Sequence, residues 1–430
     1  MRILIATAGS RGDVASYTGL GVALRDAGYE VALAATQSFA PLAEEAGLEF
    51  RPLPADPRAH GAVQGGRELM RAAAAFLTDL GEGFADTVAE GTDLLLLSAT
   101  TAPLGWHVSE ATGIPSMGVY LTPTAPTGDF APVVAGARSL GRFGNRAAGR
   151  FTLHMADRVF EPAVARLRER LELPALTAAR MRRRQDEAGW PVLHGFSTAL
   201  VPRPSDWAAP LTVTGCWWPY VDAVRRLPAE LEDFLAAGPP PVLVGFGSMA
   251  AGEGERLGAI AVRALRRAGL RGILQSGSAG LAADGDGNGA GAGVGVGAGA
   301  GAGGDVLTVG DVPHALLFPR LAAVVHHAGA GTTAAAVRAG IPSVTVPVAA
   351  DQPFWAARLA AIGAGTAPIP FRSLTAESLA DALTAAVRNP SYAQAAAAAG
   401  RHMSEEDGAG SVVAAVRRLA PSSPAPGRPR

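Results

Sequence analysis

Short apolar runs alternate along the chain with longer stretches whose apolar residues recur at helical spacing. Residues 2–6 form a first apolar run that breaks sharply at Gly9-Ser10-Arg11-Gly12-Asp13. From Val14 onward, Leu20, Ala23, Leu24 and Ala27 fall three or four apart, which predicts a helix stopped by Gly28. Residues 31–34 predict a second strand, 39–46 a helix closed by Gly47, and 48–53 a third strand. This βαβαβ order predicts a parallel sheet with helices on both faces. Strand 94–97, helix 102–111 and strand 116–121 continue it, followed by a proline-rich loop at 122–129. Loops at the carboxyl ends of such strands line binding crevices. Residues 156–172 predict an amphipathic helix, followed by the basic cluster Arg180-Met181-Arg182-Arg183-Arg184. That cluster reads as a solvated face, with a membrane or phosphate contact as the alternative.

Prolines crowd residues 202–241 without helical periodicity, and the strand–helix pattern then restarts at 242–246. Strands 272–275, 307–309, 321–325 and 343–346 follow, with helices at 255–268, 333–339, 355–362, 375–387 and 390–402. The division is therefore a first Rossmann-like unit at 1–215, a linker at 216–241, a second unit at 242–402, and a C-terminal segment and tail at 403–430. The fold class is α/β, with two doubly wound sheets. Residues 284–304 are a Gly/Ala/Val insertion that buries too little side chain to offset its ordering entropy, so a surface excursion is expected. Its acidic opening lacks the bidentate glutamate of a cation loop.

Composition adds exclusions. Of 430 residues, 48% are hydrophobic and 17% charged, and the formal net charge is −1, so no general pull toward nucleic acid arises. Cys216 is the sole cysteine, which fits a reducing compartment, and no apolar run is long enough to span a bilayer. A cytoplasmic protein with at most peripheral membrane contact is expected, as a monomer or homodimer.

The stretch that carries chemistry is His326-His327-Ala328-Gly329-Ala330-Gly331-Thr332-Thr333, set between a buried strand and a helix. A strand feeding a helix through glycines and hydroxyls presents unpaired backbone N–H groups and the positive end of the helix dipole at one point. Such a point holds anionic oxygens, most often phosphate, and histidine N–H groups can reach the same atoms.

With Val312-Pro313-His314, Arg338-Ala-Gly-Ile-Pro and Asp351-Gln352-Pro353-Phe354-Trp355 in order, this stretch resembles the donor half of the UDP-glycosyltransferase superfamily. Its flavour is that of the bacterial branch related to sterol glucosyltransferases and antibiotic-aglycone glycosyltransferases. Gly9-Ser10-Arg11-Gly12-Asp13-Val14, Gly195-Phe196-Ser197, Val201-Pro202-Arg203-Pro204 and Val244-Gly245-Phe246-Gly247-Ser248 resemble that branch too. The resemblance implies a GT-B architecture, with the acceptor in the first unit and a UDP- or dTDP-sugar in the second. It implies inverting, metal-independent transfer of a hexose or deoxyhexose to a hydroxyl of an apolar natural-product aglycone. No cofactor is implied, since the nucleotide sugar is a co-substrate.

By the same resemblance Asp13 is the candidate base, although an N-cap for the following helix fits it as well. Ser10, Arg11, Gly247, Ser248, His327, Gly329, Gly331, Thr332 and Thr333 are the candidate phosphate-binding residues, with His327 neutralising charge on the leaving diphosphate. Val312 is the nucleobase contact, and Asp351 and Gln352 grip sugar hydroxyls, with a capped helix start as the alternative. His326 is expected to face inward. Pro126, Phe130, Phe76, Phe84 and Trp106 offer an apolar acceptor wall, core packing being the competing fate. Two departures from the family stand out: Ala15-Ser16 in place of Gln-Pro, and Ala328 where Gly is common. A lipid or sterol glucosyltransferase at a membrane surface, and a non-catalytic auxiliary of a transferase, are the alternative functions.

Overall fold

A computed structural model describes residues 1–54, 66–89, 91–247, 252–277, 280–282 and 304–419. Ser248, most of the Gly/Ala insertion and the tail from Ala420 lie outside the described residues. The first sheet contains β1 (Arg2–Ala6), β2 (Glu30–Thr36), β3 (Glu49–Leu53), β4 (Leu94–Leu97), β5 (Ser116–Tyr120), β6 (Val192–His194) and β7 (Leu211–Val213). Their order is β3-β2-β1-β4-β5-β6-β7, and every pairing is parallel. The second sheet contains β8 (Val242–Gly245), β9 (Gly272–Gln275), β10 (Val306–Val309), β11 (Ala323–His326) and β12 (Ser343–Thr345), in the order β10-β9-β8-β11-β12, again all parallel. Helices cover both faces, which is why β1, β4, β8 and β11 read as continuous apolar runs rather than alternating ones.

Six helices lie between the strands of the first sheet: α1 (Arg11–Asp26), α2 (Ala40–Glu45), α3 (Gly66–Ala89), α4 (Ala102–Thr112), α5 (Gly141–Arg170) and α6 (Ala178–Glu187). The rest are α7 (Ala229–Ala236), α8 (Gly254–Ala268), α9 (His314–Leu317), α10 (Ala330–Arg338), α11 (Gln352–Ala361), α12 (Ala376–Arg388), α13 (Pro390–Ser404) and α14 (Gly408–Leu419). The strand order reverses beside β1 in one sheet and beside β8 in the other, and crevices open at such points.

The structure adds what the pattern did not specify. The helix expected at 156–172 is the second half of α5, which starts at Gly141. Within the span read as linker, Leu227, Leu231 and Leu235 form a stripe at four-residue spacing, and α7 buries it against the second sheet. Trp217 belongs to the first core, where its Nε1 donates to Gly408 O at 3.2 Å. The last helix, α14, returns to the first sheet, packing Val412, Val413 and Val416 with Ile3 and Tyr17. An apolar cluster joins the halves, with Val133, Phe196 and Trp207 on one side and Phe354, Trp355 and Val337 on the other. Arg358 Nε adds a hydrogen bond to Leu200 O at 2.7 Å.

Candidate active site

The loops after β1, β8, β11 and β12 meet in one place, where α1 of the first half abuts α10 of the second. The turn after β1 is fixed by its own side chains. Ser10 stands at the N-cap of α1, and Asp13 occupies the third position of its first turn. Asp13 Oδ2 accepts from the Ser10 N–H and from the Ser10 hydroxyl, each at 2.8 Å. The helix therefore begins before Val14, and Asp13 braces it from inside the first turn instead of capping it. One carboxylate oxygen is used in this way. The half-buried side chain has no hydrogen bond through Oδ1 among the described residues.

Arg11 reaches across the cleft, but to a carboxylate: its Nη2 lies 2.6 Å from Asp311 Oδ2, with both side chains exposed. Asp311 precedes Val312, whose side chain is buried in the second core and whose backbone groups have no partner among the described residues. His314, two positions further on, stacks on Phe318 with ring centroids 4.3 Å apart. Burial lowers its pKa to about 4, and the charges of Asp311 and His327 both reach it. The pairing of Asp311 with Arg11 was not legible in sequence, where His314 was read only as part of the Val312-Pro313-His314 motif.

The start of α10 presents open backbone donors. Gly329 is the N-cap, and the first helical bond runs from the Thr333 N–H to Gly329 O at 2.9 Å. The N–H groups of Ala330, Gly331 and Thr332 precede that bond and have no acceptor among the described residues. Thr333 differs from its neighbours: its N–H is taken by the helix, and its side chain is buried beside Ala336 and Val337, with the hydroxyl lacking a partner among the described residues.

His327 stands beside these N–H groups, between two glycines. A Cβ on Gly329 would lie 2.7 Å from His327 Nε2, and one on Gly247, whose φ is +56°, would lie 3.3 Å from Cε1. Glycine at both positions lets the backbone close on the ring. Its Nδ1 is buried without a partner among the described residues, so Nε2 faces the site. Burial lowers the His327 pKa to about 4. The free protein thus holds a neutral imidazole there, which can serve as a hydrogen-bond donor. His326 is buried as expected, and its Nδ1 accepts from the Ala328 N–H at 3.1 Å. Ala328 has φ +65°. The departure from glycine therefore matters for backbone conformation, not for the small change in volume.

Asp351 and Gln352 open α11. Asp351 Oδ2 accepts from Trp355 Nε1 at 2.9 Å. Burial raises its pKa against the pull of that bond, and the charge of Asp13 adds to the rise. The two carboxylates, one from each half, therefore face the same cleft. Gln352 is buried, and its Oε1 accepts from the N–H groups of Val348 at 2.7 Å and Ala349 at 3.1 Å, which leaves its Nε2 to meet a ligand.

The proposed acceptor wall is largely structural. Phe84 is fully buried, Phe76 packs on the same core, and Phe130 rests on Phe354 at 5.3 Å. In the basic cluster, Arg182 pairs with Asp157 and Arg184 with Glu110, which favours the solvated-face reading. No helix of the described residues is long and apolar enough to cross a membrane.

Residues 3–117 match the glycosyltransferase family 28 N-terminal domain, and residues 300–419 match the erythromycin biosynthesis protein CIII-like C-terminal domain. The chain is 36% identical over 429 residues to the O-mycaminosyltylonolide 6-deoxyallosyltransferase of Streptomyces fradiae, covering 95% of each chain. It is 30% identical to a sterol 3-beta-glucosyltransferase of Arabidopsis thaliana over 98% of this chain and 66% of that one. Its fold is similar to that of the glycosyltransferase VinC, solved in complex with dTDP, with a TM-score of 0.67 at 20% identity over 98% of this chain and 99% of that one. Two parallel Rossmann-like sheets meeting at their switch points, matched along nearly their whole length, place this chain among the GT-B nucleotide-sugar glycosyltransferases.

Proposed function

We propose that the protein transfers a hexose or deoxyhexose, with inversion, from a dTDP- or UDP-sugar to a hydroxyl of an apolar natural-product aglycone of the macrolide or polyketide type. The observation that carries the acceptor class is the near-full-length likeness to the 6-deoxyallosyltransferase. The first half, through about residue 215, takes the acceptor, and residues 242–402 take the donor. Asp13 Oδ1 removes the acceptor proton while Oδ2 stays held by Ser10. The acceptor oxygen bonds to the anomeric carbon from the face opposite the diphosphate, whose glycosidic oxygen leaves with the electron pair. One displacement inverts that carbon. The open N–H groups of Ala330, Gly331 and Thr332, with Gly329 shaping the turn and His327 Nε2 beside it, meet the charge that develops on the diphosphate. Gly247 and Ser248 offer backbone N–H and hydroxyl groups to the nucleotide, Val312 meets the base through its backbone, and Arg11 joins the phosphates by leaving Asp311. Asp351 and the Gln352 amide nitrogen hold sugar hydroxyls, which accept from and donate to such groups.

Mass spectrometry of transfer, using dTDP- and UDP-sugars with macrolide, aromatic polyketide and steroid acceptors, tests this reading. Transfer to a macrolide or polyketide that collapses in Asp13→Ala, with nucleotide affinity kept, is expected. Nucleotide binding without transfer to any acceptor would instead support the auxiliary function. A second reading, a sterol glucosyltransferase, is favoured by the likeness to the plant enzyme along nearly the whole of this chain, and transfer to steroids alone would select it.

A further inference from the structure

Large hydrophobic side chains that stand exposed are not scattered over this protein. Of seven among the described residues, five (Val134, Leu140, Phe143, Phe151 and Met155) fall within one short segment. Phe143 is 93% exposed and Phe151 64%. In α5, Phe143, Ala147, Phe151 and Met155 succeed one another at four-residue spacing, with Leu140 just before the helix, so they share one outward face. The opposite face is fixed. Asn145 Nδ2 donates to Gly128 O at 3.0 Å, and a Cβ on Gly149 would meet Pro126 Cα at 3.0 Å. The helix is thus locked onto the 122–129 loop, with its aromatic face turned out beside the acceptor half of the cleft.

Cations ring that face. Arg138, Arg150 and Arg158 are exposed and have no carboxylate partner among the described residues, whereas Arg142 and Arg146 are paired with Asp129 and Asp206. Residues 134–158 carry five arginines and one aspartate, Asp157, in a chain whose net charge is −1. Aromatic side chains on one helical face, with unpaired arginines on the helix and in the segment just before it, are the pattern of an interfacial element on anionic lipid. A two-fold dimer through the same face would bring the arginines of the two copies toward each other, which charge repulsion opposes.

We propose that the outward face of α5 docks on an anionic lipid bilayer, with Phe143 and Phe151 at the headgroup boundary and Arg138, Arg150 and Arg158 on lipid phosphates. Docking holds the acceptor side of the cleft at the interface where an apolar acceptor partitions. The proposal is independent of which acceptor is glycosylated.

Co-sedimentation of the full chain with vesicles of phosphatidylglycerol and phosphatidylcholine, against phosphatidylcholine alone, tests it. Binding to the anionic vesicles is expected, weakened on the order of tenfold for each of Phe143→Ser and Phe151→Ser. Arg138→Gln/Arg150→Gln/Arg158→Gln, or high salt, should abolish it. A thermal melt and the nucleotide affinity of each variant establish that the fold is kept. Absence of binding to anionic vesicles, or equal binding by Phe143→Ser/Phe151→Ser, overturns the proposal. So does a dimer that the double variant dissociates, which assigns the face to self-association. Loss of transfer to a water-soluble acceptor with vesicle binding unchanged would assign it to the acceptor site instead.

Discussion

Gly329→Ala isolates the contribution of His327 to the anion site. Gly329 has φ −64° and ψ 148°, a conformation open to alanine, so the backbone accepts the change. The added methyl would sit 2.7 Å from His327 Nε2 and 3.4 Å from Cδ2, closer than a Cβ stands to any atom, and the ring must move. The far end of a side chain moves cheaply, and alanine is a poorer N-cap than glycine, so the fold should lose only about 0.5–1 kcal/mol. The ligand contact loses more. A hydrogen bond to a charged group contributes about 1.5–3 kcal/mol, which predicts nucleoside diphosphate binding weakened about 10- to 150-fold. Isothermal titration of dTDP or UDP against the corresponding nucleoside should place the whole loss on the diphosphate. Adding Gly329→Ala to His327→Ala should then cost little more, because both remove the same contact. Unchanged diphosphate affinity, or an equal loss for the bare nucleoside, would refute the placement of His327 against the phosphates.

The remaining predictions concern stability. Burial lowers His107 and His194 to a pKa of about 4 and His326 to about 3, against an unfolded value near 6.5. Above about pH 6.5 both states are neutral and stability is level; below it the unfolded chain binds protons that the fold refuses, so each histidine removes about 1.4 kcal/mol per pH unit. Melting curves from pH 8 down to about pH 4 should fall steeply in the lower half, and a flat profile there would contradict the neutral burial of these rings. Gln352→Ala leaves the Val348 and Ala349 N–H groups without their acceptor and should lower the unfolding free energy by about 1–3 kcal/mol in denaturant titration, an unchanged midpoint arguing against that brace. Ala350 is exposed at φ +56°, so Ala350→Gly should stabilise by about 0.5–1 kcal/mol, read as a raised melting temperature, and a lowered one would count against strain at that turn.

The sheets were legible because a strand buried on both faces is an uninterrupted apolar run, as Leu94 to Leu97 is, and glycine marks where the next helix stops. β6 and β7 were not, being three residues each, and β7 is only half-buried at the sheet edge. Local pattern also cannot say which sheet a helix joins. Val412, Val413 and Val416 declare an apolar face on α14, but only the fold reveals that it completes the core around Tyr17. At the site, the residue types of Ser10, Asp13, His327 and Asp351 were readable from the motifs. The Arg11–Asp311 pair was not, since it joins residues far apart in sequence across the cleft. Spacing separates the two threonines of the motif: Thr333 stands three and four residues before Ala336 and Val337, on the buried stripe of α10, whereas Thr332 lies off it.

Two doublets, His326-His327 and Asp351-Gln352, mark the loops after β11 and β12: in sequence His326 reads as inward-facing and the other three as ligand groups, and the geometry shows what the inward member does. Among the described residues, Glu172, Ala328 and Ala350 are the non-glycine residues with positive φ, and the last two sit in the loops that carry these doublets. Such a conformation costs about 1–2 kcal/mol and persists where its surroundings over-determine it. One buried polar side chain does that at each loop. His326 Nδ1 takes the Ala328 N–H, and Gln352 Oε1 takes the N–H groups of Val348 and Ala349 just before Ala350. The other member of each doublet, His327 or Asp351, is then aimed at the cleft from a turn that cannot relax. A change at His326 would thus reach the ligand through the backbone, a change at His327 or Asp351 directly, and a change at Gln352 by both routes, since its Oε1 holds the turn while its Nε2 faces the sugar. On the proposed function the histidine doublet is therefore one anchor and one contact, and a substitution at either position is expected to weaken donor binding by a different physical route, read as a loss of nucleoside diphosphate affinity in isothermal titration.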